Sequence, residues 1–163
     1  MSENTEQTKQ EALEQFQKAY ENQMKGKLDA AVELYKKSID IFPTAEAYTF
    51  LGWTYSFMGQ YYEAIEECHR AIELDPDFGN PYNDIGAYLI ELGELDEAIP
   101  WLEKATKAVR YESYCFPHLN LGRVWEKKGL WDRAIEEYKK SLEVNPDYVL
   151  AKRALNRLRG MLN

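Results

Sequence analysis

A chain of 163 residues, 45% hydrophobic and 29% charged, has ordinary globular composition and the length for one compact domain or a short repeat array. The net charge of −8 is lopsided: residues 1–114 carry 10 Lys/Arg against 22 Asp/Glu, residues 115–163 carry 10 against 6, and so acidic a body argues against nucleic-acid binding. No run of about 18 apolar residues occurs, so no membrane insertion is expected, and Cys68 and Cys115, in no CxxC pair, read as reduced thiols of a cytoplasmic protein.

Residues 1–11 form a polar N-terminal extension without an apolar signal region. Apolar periodicity then predicts helices near 6–25 and 28–41, with Ala19 midway along the first and Gly26 in the turn. A second pair, near 45–58 and 61–74, has Gly52 mid-helix and Gly59 at the turn. The third pair, near 80–92 and 95–109, opens on GNPYNDIGAYLIELG. There Asn80 reads as an N-cap and Pro81 as a first-turn residue, with Gly86 a point of close helix approach and Gly93 a helix end. Pro100 falls early in the following helix and is expected to kink it. Two extra residues in AVRYESYCFPH lengthen a helix or loop before the fourth pair, near 115–128 and 131–144, which carries Gly122 and Gly129. A last helix, 147–161, presents Val149, Leu150, Ala154, Leu155, Leu158 and Met161 at helical spacing.

The pairs repeat one another. Gly26, Gly59, Gly93 and Gly129 stand 33, 34 and 36 residues apart and introduce GKLDAAV, GQYYEAI, GELDEAI and GLWDRAI. Gly52, Gly86 and Gly122 lie seven residues upstream of the last three, and Pro43, Pro76 and Pro146 stop the second helices. A mid-helix glycine costs roughly 1 kcal/mol relative to alanine, a cost that close approach of a neighbouring helix explains. The pattern resembles the tetratricopeptide repeat (TPR) family, which has one helix-turn-helix per repeat of about 34 residues. The resemblance implies an all-α fold, a right-handed superhelical α-solenoid of about four repeats with a C-terminal capping helix. Its divisions are a degenerate repeat at 12–44, repeats at 45–78, 79–112 and 115–148, and the rest of the capping helix at 149–163.

Little in the sequence points to catalysis. His69 and His118 are isolated and read as surface or packing residues; no metal site, cofactor, nucleophile elbow or phosphate loop is expected. The carboxylate pairs Glu66-Glu67 and Glu136-Glu137 read as solvated faces. The chain is therefore expected not to be an enzyme.

In the TPR family the first helix of each repeat lines a concave surface that binds peptides. Carried onto this sequence, the resemblance places Phe16, Tyr20 and Met24 in that groove from the first repeat and Phe50, Trp53 and Phe57 from the second. The third adds Asn83, Asp84, Ala87, Ile90 and Glu91, the fourth Phe116, Leu119, Asn120, Arg123 and Lys127. Aromatic side chains offer apolar area with little rotamer entropy to lose, and Asn83 and Asn120 can donate to and accept from a ligand's amides. The bland alternative is that the aromatics pack against neighbouring helices. One branch of the family clamps the carboxylate of EEVD-type chaperone tails. Here its lysine positions hold Phe16 and Asn80 and its first asparagine position Tyr20, so that ligand is not expected. The resulting expectation is a non-enzymatic adaptor or scaffold that binds a peptide or amphipathic helix in an aromatic-rich groove. The alternatives are a chaperone-like protein for a secreted or membrane-complex partner, and a homo-oligomer built through the basic last helix (Lys152, Arg153, Arg157, Arg159).

Overall fold

The computed structural model describes residues 3–163, and every helix or strand assigned among them is an α-helix. In chain order these are α1 (Glu3–Met24), α2 (Leu28–Ile41), α3 (Ala45–Phe57), α4 (Tyr61–Leu74), α5 (Asn80–Glu91), α6 (Leu95–Thr106), α7 (Cys115–Lys127), α8 (Trp131–Val144) and α9 (Val149–Leu162). The chain divides after Pro76 into two compact units, α1–α4 and α5–α9, and within each unit successive helices pack against one another. From Glu3 onward, α1 runs unbroken through the polar stretch.

In the first unit α1 meets α2 where Ala19 and Ala31 are fully buried, and Tyr35 fills the space beside them with Val32 and Leu51. Ser38 ties the far end of the hairpin by donating from its hydroxyl to the Ala12 carbonyl at 2.7 Å. Thr44 starts α3 by accepting the Ala47 N–H at 3.1 Å, which satisfies one of the helix's orphan donors. A Cβ built on Gly52 would stand 2.8 Å from the Ala64 carbonyl oxygen, so α3 and α4 touch backbone to backbone. That contact is the reason a helix interior tolerates glycine here.

The second unit opens differently from the sequence expectation. Asn80 is the first residue of α5 rather than its cap; Gly79 holds the position before it and no side chain caps the helix. The Gly79 N–H donates to the Arg110 carbonyl and the Arg110 N–H to the Asp77 carbonyl, both at 3.0 Å. Main-chain pairing with a distant loop thus sets the entry to α5, and a side-chain cap is not needed. A Cβ at Gly79 would lie 2.6 Å from Tyr111 Cβ, so only glycine lets the loop come so close. The extra residues before α7 therefore lengthen a loop, and α6 is 12 residues long against 14 for α2, α4 and α8. Arg110, where the other repeats place proline, lays its guanidinium 4.2 Å from the Phe78 ring centre.

At the C-terminus α9 packs on α8 through Ala151, Leu155 and Leu158, around Ala134 and Tyr138. This corrects the predicted stripe, since Val149, Leu150 and Met161 stay exposed. Ala151 is fully buried in that seam, and the helical turn that buries it leaves Leu150 and Met161 outside it.

Candidate functional site

The first helices of the first unit carry an aromatic cluster. Phe50 is its hub, edge to face with Phe16 (5.2 Å between ring centres), Tyr20 (5.8 Å) and Trp53 (5.7 Å), and tilted against Tyr35 (6.3 Å). Trp53 passes the contact on to Phe57 at 5.1 Å. Phe16, Phe50 and Trp53 are half-buried in this packing, which gives the bland reading part of its due. Tyr20, Phe57 and Met24 are different: they are 40%, 55% and 61% exposed. The cluster holds two of these exposed rings, Tyr20 and Phe57, in fixed orientations.

The corresponding face of the second unit is polar and internally bonded. Asn120 donates through Nδ2 to Asn83 Oδ1 at 3.0 Å, and Arg123 donates to Asn120 Oδ1 at 3.0 Å and to Glu91 Oε1 at 2.9 Å. Both asparagines are only 7% exposed. The two amides expected to meet a ligand's backbone are thus engaged with each other, while Arg123 keeps unused N–H donors. Asp84, beside Asn83 and half-buried near Tyr111, has its carboxyl pushed up to about 7 by burial. Ala87 is half-buried, Ile90 and Leu119 are buried, and Lys127 is exposed. Phe116 stacks edge to face on Tyr148 at 5.4 Å and remains 41% exposed.

Further along the second unit, α7, α8 and α9 enclose a cleft of 620 Å³ lined by Leu119, Arg123, Lys127, Trp131, Leu150 and Met161, among others. Arg157 reaches across it from α9 and donates twice to Glu126, which also accepts from the Tyr138 hydroxyl at 2.7 Å. Hydrogen bonds from Arg157 hold the Glu126 carboxyl below the usual carboxylate range, against the opposing effect of burial. Of the cleft residues, Leu119, Arg123 and Lys127 are groove positions by the resemblance, and Leu150, Ala154 and Met161 belong to the apolar stripe of the last helix. No sequence pattern singles out Glu126, Trp131 or Tyr138. Their signal is tertiary, because α9 must fold back over α7 before they share a space. Two of the basic residues on α9 are likewise engaged within the unit, Arg157 with Glu126 and Lys152 with Asp147 at 3.8 Å.

The carboxylate pairs need correction. Glu66 and Glu136 are exposed, but Glu67 is buried, with one oxygen on Arg70 at 2.8 Å, the other, Oε2, without a partner, and its carboxyl raised by that burial. Glu137 pairs with His118 at 2.8 Å and Lys140 at 3.2 Å; burial pushes its carboxyl up, but those partners outweigh it and hold the group low. Both pairs are splayed across a helix whose inner side is covered, so one member of each turns inward. Cys68 and Cys115 are free, buried thiols. Among the described residues no three of His, Cys, Asp and Glu come together as metal ligands, and no helix is long and apolar enough to cross a membrane.

Comparison with known proteins agrees with this architecture. The tetratricopeptide repeat pattern matches residues 45–78, 80–108 and 115–148. Small glutamine-rich tetratricopeptide repeat-containing protein 2 of Mycosarcoma maydis is 32% identical over 79 residues, 48% of this chain and 22% of its own length. The mitochondrial import receptor subunit TOM70 of Homo sapiens is 24% identical over 131 residues, 79% of this chain and 21% of that protein. The chain thus spans about a fifth of the length of these curated relatives. The crystal structure of MamA superposes with a TM-score of 0.72 at 27% identity, covering 88% of this chain and 83% of that one. With three matched repeats that together cover more than half of its residues, the chain belongs to the tetratricopeptide repeat family.

Proposed function

We propose that the chain is a non-enzymatic protein-interaction module whose first-helix face in the α1–α4 unit binds an aromatic or aliphatic peptide, or the apolar side of an amphipathic helix. One observation carries this reading: Tyr20, Met24 and Phe57 hold large apolar area open to solvent, two of them on a ring cluster whose other members are packed. A monomer has little reason to keep so much rigid aromatic surface wet, and pre-oriented rings lose little entropy on binding. The role is that of an adaptor or assembly scaffold, with no cofactor and no nucleic acid, acting in the cytoplasm, and with repeats divided at 12–44, 45–78, 79–112 and 115–148.

Capture of partners on the immobilised full chain tests it. Trp53→Ala with Phe57→Ala is expected to weaken every captured partner by at least about tenfold, as loss of two aromatic anchors does. Unchanged affinity for all of them removes the proposal.

A second reading, a chaperone-like protein for a secreted or membrane-complex partner, is favoured by the likeness to an import receptor subunit over 79% of this chain. A captured partner that is insoluble without the chain and destined for export distinguishes it from an adaptor of soluble proteins.

A further inference from the structure

We propose that the first unit holds a binding site for a small uncharged aromatic molecule, in the cleft between the start of α1, the end of α2 and the start of α3. The site does not depend on the peptide-binding reading, and of its lining only Phe16 is a groove position.

The cleft is open because the first unit lacks a ring that the second unit has. The hairpins α1–α2 and α7–α8 align through their buried serines, since Ser38 donates to the Ala12 carbonyl at 2.7 Å and Ser141 to the Cys115 carbonyl at 2.8 Å. Leu13, one residue after Ala12, therefore matches Phe116, one residue after Cys115. The residue that leads into the next helix is Thr44 before α3 and Tyr148 before α9. In the second unit the two rings meet edge to face, 5.4 Å between centres, and Tyr148 is half-buried. In the first unit Leu13 stays 45% exposed, and Thr44 is too short to take the place of a ring. A cleft of 320 Å³ is left, lined by Ala12, Leu13, Phe16, Phe42 and Thr44 among others. That volume is at the lower end of the range for ligand cavities, which limits the occupant to a compact molecule.

Charge selects an uncharged occupant. Lys9 lines the cleft with its ammonium 5.6 Å from the centre of the Phe42 ring, and α3 starts there with the positive end of its dipole. Both repel a cation. Glu46 lines the same cleft, and residues 1–76 carry 7 Lys/Arg against 14 Asp/Glu, so an anion gains little from Lys9. A neutral ring meets neither penalty and covers the apolar area of Leu13, Phe16 and Phe42. One polar contact is open to it. Thr44 accepts the Ala47 N–H, so its own hydroxyl proton is still available to donate to a ligand oxygen. A phenol combines the ring with that oxygen, as the side chain of Tyr148 does at the matching place in the second unit.

The probe is p-cresol, the tyrosine side chain as a free molecule, titrated into the isotope-labelled full chain and followed by two-dimensional NMR of the backbone amides. Saturable shifts are expected at Leu13, Phe42, Thr44 and Glu46, with a Kd of about 1 mM or tighter. The anion p-toluate and the cation 4-methylbenzylammonium carry the same ring and are expected to bind at least about fivefold more weakly. Leu13→Trp fills the cleft from a solvent-exposed position that the core does not need, and is expected to weaken p-cresol at least about fivefold. Thr44→Tyr, which restores the missing ring, is expected to do the same. Trp53→Ala with Phe57→Ala leaves the affinity unchanged, because those rings lie outside the cleft. No saturable shifts, equal binding of either charged analogue, indifference to Leu13→Trp, or shifts centred on Tyr20 and Phe57 overturn the proposal. So does a dimer in light scattering that Leu13→Trp abolishes, which would give the cleft to a second copy of the chain. Capture of protein partners through Trp53 and Phe57 is read out separately, so loss of the cleft leaves the aromatic face standing, and loss of the aromatic face leaves the cleft.

Discussion

Tyr35 in the first unit and Tyr138 in the second occupy the same place in their hairpins. Each is a buried second-helix tyrosine whose hydroxyl donates at 2.7 Å to the residue twelve positions earlier, Gln23 in one case and Glu126 in the other. The serine one turn further on repeats as well: Ser38 donates to the Ala12 carbonyl and Ser141 to the Cys115 carbonyl. These hidden bonds are kept although the outward faces differ in their main chemistry. The first unit turns out aromatic rings, the second a chain of amides and ions from Asn83 to Glu91. The hairpin is thus specified from inside, which leaves the exposed side of each first helix free to carry whatever a partner requires.

The largest test of this comparison is at the small residue facing each tyrosine. A Cβ on Gly122 would lie 2.4 Å from the Tyr138 ring, a buried aromatic side chain in the core that α8 shares with α9. Gly122→Ala is expected to destabilise the second unit by about 2–3 kcal/mol, read as a lowered midpoint in chemical denaturation. The first unit already has alanine at the matching position, Ala19, fully buried. Ala19→Gly is expected to cost about 1 kcal/mol, the helix-propensity loss. Equal and opposite effects at the two sites would mean that the two hairpins pack alike, contrary to this account.

The tyrosine hydroxyls separate the units further. Gln23 is buried, its amide nitrogen has no partner, and Tyr35 supplies its oxygen's hydrogen bond. Tyr35→Phe strands that oxygen and is expected to cost about 2 kcal/mol. Glu126 keeps Arg157 when Tyr138 is removed, so Tyr138→Phe is expected to cost about 1 kcal/mol. Urea titrations of both variants against the parent give the order directly, and the reverse order would show that the charged acceptor depends on the hydroxyl more than on the arginine.

What could be read from sequence divides along the same line. Close-approach and turn positions such as Gly52 and Gly93 announce themselves, because few other residues tolerate a 2.8 Å Cβ contact or a φ of +80°. Repetition then multiplies the signal. Gly79 carries no such signal, because its constraint comes from Tyr111, a residue in a loop that breaks the repeat. The candidate groove was legible as a set of positions but not as a set of free groups. Helical spacing places Asn83 and Asn120 on first-helix faces, yet it cannot say that two amides 37 residues apart will satisfy each other. Spacing also cannot say which of two apolar stripes on α9 faces α8.

The smallest effect is at Asp84, which stands in the second unit where Phe50 stands in the first, each two residues before its mid-helix glycine. Burial raises its carboxyl to about 7, whereas in the unfolded chain an aspartate titrates near 3.9. Between those values the folded chain holds a proton that the unfolded chain has lost, so stability falls as pH rises from about 4 to about 7 and the penalty is complete above that. An amide at this position has no charge to bury and can still hydrogen-bond to Asn83. Because Asp84 is only half-buried, solvent screens much of that penalty, and Asp84→Asn is therefore expected to raise the melting temperature at pH 8 by only a few degrees and to leave it nearly unchanged at pH 4. Phe50 offers the contrast within the same molecule, since a ring has nothing to titrate and Phe50→Leu should lower stability by the same amount at both pH values. If Asp84→Asn shifts the melting temperature equally at pH 4 and pH 8, the carboxyl is not held protonated by its surroundings, and the polar face of the second unit is as indifferent to pH as the aromatic face of the first.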